Sequence, residues 1–203
     1  MLTIKTAARN IRAVLGQAEP GELIHGQDWY ATAREEALWL VREHDLPLGV
    51  VCHAIAALSP SVAWPVNLSG ADTLIGHFKR GLLRESLTGV AGYRKNIDKA
   101  WEILRRHAAG DDTWRNVLSG PKVTAFAANI FSGGHLDEEI TIDGHAWCIA
   151  HGKRVPLDRV PKISKALRER IRAAHRRVAE DTGLLPTQIQ AITWVVWKRI
   201  HGV

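Results

Sequence analysis

The stretch LSGPKVTAFAANIFSGGHLDEEITIDGHAWCIA, residues 118–150, holds most of the signals that decide the fold. A turn at 118–121 precedes the apolar segment 122–131, in which small and aromatic side chains recur at helical spacing. The pair Gly133-Gly134 ends that segment, and an acidic loop then leads to a further apolar segment at 144–151. The stretch therefore predicts two short helices that are separated by a loop.

The same helical period runs through the rest of the chain. Apolar residues recur every three or four positions in a segment opened by Asp28, a candidate N-cap, and in the segments 47–58, 64–78 and 93–107. The segment 47–58 is apolar on most faces and is expected to be central. Because no pair of alternating strands is joined by a hairpin dipeptide, we predict an all-α fold.

Composition restricts the class of protein. A chain of 203 residues with 46% hydrophobic and 24% charged residues is typical of one soluble domain or of two small lobes. Only two cysteines occur, Cys52 and Cys148, which excludes a disulfide scaffold and a four-cysteine metal site and suits a reducing compartment. No signal-peptide core or bilayer-length apolar run is present. We therefore expect a cytoplasmic protein, in the host cytoplasm if it is viral.

Positive charge is concentrated in one part of the chain. Residues 152–177, the basic segment, contain ten Lys and Arg and two acidic residues, whereas the whole chain has a net charge of only +6. A solvated helix face is one interpretation, but the imbalance is too large for neighbouring acids to neutralise, so a phosphate-binding face is favoured. We expect DNA contacts from the basic segment, and in particular from Lys153, Arg154, Arg168 and Arg172.

Two residues of the opening stretch place ionisable groups at helix starts. Lys122 begins an apolar helix beside Val123 and Phe126, where partial loss of solvent favours a nucleophilic amine. Asp143 precedes the next helix, where a carboxylate accepts backbone N–H groups. A surface lysine and a simple helix cap are the alternatives, and spacing alone favours them.

The stretch resembles the helix–hairpin–helix DNA glycosylase superfamily, in the branch of endonuclease III and 8-oxoguanine DNA glycosylase. Members carry a Leu-Pro-Gly-Val-Gly-x-Lys hairpin, an apolar helix, a loop and a Val-Asp-x-His motif. Residues 120–123, GPKV, match the end of the hairpin, and residues 142–150, IDGHAWCIA, match the aspartate motif and its continuation. In that family the lysine attacks C1′ of the sugar and the aspartate supports the charge that develops as the base leaves. The resemblance implies these catalytic roles for Lys122 and Asp143.

Two weaker matches extend the resemblance over about residues 50–200. The segment 57–61, ALSPS, matches the helix end that approaches a flipped nucleotide, which implies that Ser59 lines the base pocket. The segment 190–194, QAITW, resembles the Gln-Ala-Val-Leu-Phe segment of the 8-oxoguanine pocket. It implies that Gln190 reads a base edge and Trp194 stacks on the base, although Trp194 could instead be a core aromatic, as we expect for Trp197.

The chain also departs from the family pattern. The hairpin is about two residues shorter than the family's, and Pro121 lacks the N–H group with which such turns hold a phosphate. The resemblance implies phosphate contacts from Gly120 and His145. The amino-terminal β-domain of the eukaryotic 8-oxoguanine enzymes and the iron–sulfur cysteines of endonuclease III have no counterpart, and Ser61, Val62 and Ala63 replace the family's gap-filling asparagines. The chain is also similar to small phage and actinobacterial proteins, a similarity that carries no information about its activity.

These observations combine into one expected organisation. We predict a single glycosylase-like domain over 1–203 in two helical lobes with an interlobe cleft, a catalytic segment at about 112–151 and a C-terminal pocket helix at about 185–201. The implied activity is excision of a flipped base with strand cleavage through a Schiff base on Lys122, without a metal or organic cofactor. The expected partner is DNA, without a membrane or an obligate protein partner, and the expected state is a monomer.

Two alternatives remain open. The same fold could install or remove a base modification on phage DNA, or it could serve as a non-catalytic DNA-binding module. A zinc site at His145, Cys148 and His151 is disfavoured, because the third position is rotated away from the other two on a helix and no fourth ligand is evident.

Overall fold

The computed structural model describes residues 1–136 and 139–202. Within these ranges the chain forms α-helices and short 3₁₀ helices and no strand, which confirms the predicted all-α class. Asp137 and Glu138 of the predicted acidic loop lie outside the described residues. None of the described helices is long and apolar enough to cross a membrane.

Most predicted helices are found with their ends displaced by one residue or less, and residues 153–161 are irregular apart from a short 3₁₀ helix. The α-helices are α1 Ile4–Leu15, α2 Pro20–His44, α3 Leu48–Leu58, α4 Trp64–Lys79, α5 Arg94–Ala108, α6 Pro121–Ser132, α7 Gly144–His151, α8 Lys165–Thr182 and α9 Pro186–His201. The 3₁₀ helices lie at Arg84–Ser86, Asp112–Asn116 and Leu157–Arg159.

The chain divides into two compact units. Both ends of the chain, Met1–Thr32 and the described part of Ser132–Val203, form the terminal unit, and Ala33–Phe131 forms the middle unit. The boundary falls within α2 on one side and at the end of α6 on the other.

The terminal unit is built around α1, α7, α8 and α9. Their facing side chains form one buried apolar cluster, in which Ile11, Ile149, Ile171 and Ile192 have at most 1% exposure. Three of these helices begin at an N-cap whose side-chain oxygen accepts a backbone N–H group of the first turn. The capping residues are Thr3, Asp143 and Ser164. The caps define where each helix begins, and the buried isoleucines hold the helices together.

In the middle unit α3 is the central helix. Its residues from Val50 to Leu58 are buried except for His53, as the apolar composition of the segment predicts. Helices α4 and α5 pack against it. Ile103 and Leu104 of α5 and Leu74 of α4 are at most 1% exposed.

The prediction that Asp28 caps a helix is wrong. Helix α2 begins eight residues earlier at Pro20, and Asp28 lies exposed within it. Pro20 suits a first helical position, and the Glu22 carboxylate accepts the backbone N–H of Glu19 at 2.9 Å. Gly26 within this helix has a packing role, because a Cβ there would lie 2.5 Å from the Cα atom of Ile192 in α9.

Candidate active site and nucleic-acid interface

Lys122 is the second residue of α6, after a non-helical turn at residues 118–120. Leu118 is buried and anchors the turn, while the carbonyl of Gly120 accepts the N–H of Thr124 at 3.0 Å. The Lys122 side chain is half-buried, and its ammonium group has no hydrogen-bond or ion-pair partner among the described residues. No other described group therefore holds this ammonium in place.

The chain before this turn forms only a short helical segment. The segment before it is a five-residue 3₁₀ helix, Asp112–Asn116, and α5 has already ended at Ala108. Asp111 caps that short helix by accepting the N–H of Thr113 at 2.8 Å. At the turn itself, Lys99 Nζ lies 3.5 Å from Ser119 Oγ, which places a second amine beside the candidate nucleophile's turn.

Asp143 is the N-cap of α7. Its backbone is extended, and Oδ1 accepts the N–H of Ala146 at 2.9 Å, so the predicted capping contact is confirmed. The preceding residues Ile140, Thr141 and Ile142 are all buried, which fixes the direction from which the chain enters the helix. The carboxylate remains half-exposed at the positive end of the α7 dipole. Asp143 belongs to the terminal unit and Lys122 to the middle unit.

Arg172 of α8 bonds to the chain segment that leads to Asp143. Its Nε donates to the carbonyl of Ile140 at 3.2 Å, and its terminal nitrogens pair with Glu139 at 2.9 Å and with Glu169 at 3.2 Å. The side chain is only 11% exposed. The expected contact of Arg172 with DNA stays a prediction beside these bonds within the chain.

The basic segment separates into two kinds of cation. Arg168, like Arg172, is half-buried and donates to a backbone carbonyl, that of Ile163, at 3.0 Å. The cations of 153–165 are exposed to solvent, namely Lys153, Arg154, Arg159, Lys162 and Lys165. Of these, Lys153 Nζ also lies 5.5 Å from the centre of the Trp147 ring. These five cations lie between α7 and the first residue of α8 and, with the exposed Arg177 on α8, are accessible to phosphates.

The residues expected to line a base pocket are distributed over both units. Gln190 is only 7% exposed, and its Oε1 accepts the hydroxyl of Tyr30 at 2.8 Å. Trp194 is half-buried, 6.2 Å edge-on from Trp29, with Lys198 Nζ 4.4 Å from its ring centre. Ser59 lies in the other unit, where it ends α3 and donates to the carbonyl of Ala56 at 2.9 Å.

Tyr30 is the residue near the expected pocket that sequence reasoning did not single out. It is 5% exposed and lies beside a recess of about 180 Å³ between α2, the Gly133-Gly134 turn and the start of α9. Thr187 closes one side of this recess by donating to the carbonyl of Gly134 at 2.5 Å. The helical spacing of apolar residues in α2 indicates that one face of the helix is buried. Which part of that face packs against α9, and so the role of Tyr30, depends on tertiary contacts that the spacing does not encode.

The residues weighed for zinc have other contacts. Cys148 is buried and its thiol donates to the carbonyl of Val155 at 3.5 Å, and burial raises the pKa of that thiol. His151 Nδ1 lies 2.8 Å from the carbonyl of Trp147, on whose ring it stacks at 3.9 Å. His145 is the second residue of α7 and half-buried. Among the described residues no three His, Cys, Asp or Glu side chains are grouped as a metal ion requires.

Trp197 is 6% exposed and belongs to the core, as expected.

Comparison with known proteins assigns the chain to a family but not to an activity. No curated protein and no solved structure matches it. A family model matches residues 1–201, which is nearly the whole length of the chain. By that match the chain belongs to the family of unknown function DUF7178.

Proposed function

We propose that the protein excises a base from DNA, with Lys122 as the nucleophile and Asp143 as the group that stabilises the developing positive charge. The observation that carries the proposal is the pair of helix starts. Lys122 lies unpartnered in the first turn of α6, and Asp143 caps α7 with its carboxylate half-exposed. The sequence motifs around both residues resemble those of helix–hairpin–helix DNA glycosylases.

The proposed reaction starts from a nucleotide flipped out of the stack, because a base within a duplex cannot be reached. The neutral amine of Lys122 forms a bond to C1′ of the sugar as the bond from C1′ to the base nitrogen breaks. The base leaves with the electron pair and takes up a proton. The sugar ring opens to a Schiff base on Lys122, from which β-elimination expels the 3′ phosphate.

The charge of Asp143 has a defined part in this reaction. Positive charge develops on the sugar as the base departs, and an ionised carboxylate lowers the energy of that state. The cap bond to Ala146 occupies Oδ1 and fixes the orientation of the carboxylate. The exposed cations of 153–165 then bind backbone phosphates and position the strand.

Borohydride trapping tests the role of Lys122. Lys122→Gln should abolish the covalent adduct on a panel of oligonucleotides with abasic, damaged or modified bases, while DNA binding persists. Lys99→Gln is the matched control, because Lys99 contacts the same turn and its loss should leave trapping intact. Trapping that survives in Lys122→Gln, or that the wild type never shows, would contradict a Schiff base on Lys122.

Asp143→Asn separates charge from capping. Asparagine is as good an N-cap as aspartate, so the free energy of unfolding should change by less than about 0.5 kcal/mol. Loss of the charge should slow excision about 10²- to 10³-fold. Thermal melting and single-turnover excision measure the two effects. Normal turnover together with a large loss of stability would reduce Asp143 to a helix cap.

A non-catalytic DNA-binding module is the second candidate, and the short 3₁₀ helix before the turn favours it. With only Asp112–Asn116 in place of a longer helix, and with Pro121 lacking an N–H group, the turn offers a phosphate fewer donors. Such a module binds DNA without forming an adduct. The trapping experiment therefore distinguishes the two candidates.

A further inference from the structure

The middle unit contains a groove that the proposed reaction does not use. Its volume is about 330 Å³, and it is lined by α2 and by the first half of α4. All its lining residues lie between positions 36 and 72, within the middle unit. A volume of this size is at the lower end of small-molecule sites.

Two tryptophans provide the aromatic lining. Trp64, the first residue of α4, donates its indole N–H to Glu36 Oε2 at 2.6 Å and lies edge-on to Phe126 at 6.2 Å. Its ring is therefore held in one orientation. Trp39, almost one turn after Glu36 on α2, remains 47% exposed. The exposed Trp39 indole therefore offers a ring surface to a ligand in the groove.

The ionisable side chains in the lining are both acidic. They are Glu36 on α2 and Asp72 on α4, and no Lys or Arg lines the groove among the described residues. Asp72 has 41% of its side chain exposed, and one of its oxygens, Oδ1, lies 2.7 Å from His44 Nε2. The rest of the lining includes Pro65 and Leu68. In a chain with a net charge of +6, this groove is a local exception.

We propose that the groove binds an aliphatic diamine. Its ammonium groups pair with Glu36 and Asp72, and one of them lies against the exposed Trp39 ring, whose quadrupole attracts a cation. Its methylene groups cover Pro65 and Leu68, which removes apolar surface from water. A metal ion is a poorer match, because two carboxylates among apolar side chains supply too few oxygen ligands.

A free diamine fits better than a lysine side chain on another protein. Stable protein interfaces bury about 800 Å² on each partner. This groove is instead a compact recess lined by seven residues. A small molecule can fill it alone, without a surrounding interface.

Isothermal titration calorimetry with 1,4-diaminobutane tests the proposal, at constant ionic strength with sodium chloride as the blank. The wild type should show saturable, equimolar binding. Trp39→Ala should weaken it about tenfold, and Glu36→Gln similarly. Trp39 is exposed, and glutamine still accepts the Trp64 N–H, so both variants should fold, which circular dichroism verifies.

Glu35→Gln is the matched control, because Glu35 is exposed on α2 next to Glu36 and does not line the groove. Binding that falls equally in Glu35→Gln and Glu36→Gln would be unspecific attraction and would overturn the proposal, as would the absence of wild-type binding. A lysine-containing peptide forms the second arm. If it binds more tightly than 1,4-diaminobutane at the same residues, the ligand is a protein side chain and the diamine assignment is wrong.

Discussion

The exposed and the buried halves of the basic segment make an instructive comparison. In 153–165 the lysines and arginines extend into solvent, whereas on α8 Arg168 and Arg172 are half-buried and bond to backbone carbonyls of the terminal unit. Composition treats both halves alike. The difference shows that local charge density identifies a cationic region but not which cations remain available for phosphates. The three predictions that follow test this division.

His175 should have the largest effect on the free energy of unfolding, because it is an ionisable side chain that is buried on α8. It is fully buried on α8, and burial lowers the pKa of its imidazole from 6.5 to about 4. Between those pH values the unfolded chain takes up a proton that the folded chain does not. The free energy of unfolding should therefore fall by about 3 kcal/mol as the pH drops through this window, and no further below it.

Urea denaturation at about pH 7 and about pH 4 measures the effect, with His175→Leu as the reference. Leucine cannot titrate, and it loses the contact of His175 Nδ1 with the carbonyl of Ile171 (2.9 Å) at both pH values, so the change in stability between the two pH values is what is compared. The wild type should lose more stability on acidification than the variant. Equal losses would show that His175 is accessible to protons and that this half of α8 is not core.

Arg172→Ala should cost about 2 kcal/mol of unfolding free energy, because the buried carbonyl of Ile140 loses its donor and two carboxylates lose a partner. The proposed excision should also slow, since Arg172 bonds to the chain segment that leads to Asp143. Arg177→Ala, on the exposed side of the same helix, should stay within about 0.5 kcal/mol of wild type. A variant of Arg172 with unchanged stability and a smaller salt dependence of DNA binding would return this arginine to the DNA surface.

Exchange of Arg154 and Lys162 for glutamine should have the smallest effect on stability, below about 0.5 kcal/mol, since both side chains are exposed. It should reduce the slope of log K against log salt for DNA binding by about 2, because each cation that no longer neutralises a phosphate lowers the slope by about one unit. Fluorescence anisotropy over a salt series measures this slope. An unchanged slope would place the DNA away from 153–165.

The helical class and most helix ends follow from sequence because they depend on local signals. Capping residues, glycine turns and the helical period act within a few positions of one another, and α7 begins after Asp143 as its motif predicts. The start of α2 was missed for the opposite reason. Gly26 has a low intrinsic preference for helix, and its place within α2 depends on close packing against the backbone of Ile192, which is distant in the chain.

The candidate site divides in the same way. The positions of Lys122 and Asp143 at helix starts are local and were predicted. The contacts of Arg172 with Ile140 and of Tyr30 with Gln190 join residues distant in sequence, and no spacing rule encodes them. Sequence therefore indicates which residues begin helices, while the partners of long polar side chains depend on the packed structure.

The division of the chain has a consequence for its synthesis. The middle unit is continuous, so all of it has been made once Phe131 has left the ribosome. Helix α1 is made earlier still, but its packing partners α7, α8 and α9 emerge last. During translation its apolar face therefore waits for more than a hundred residues, a period in which chaperones or wrong contacts compete for it. Ribosome stalling late in the message would leave α1 without a place to dock.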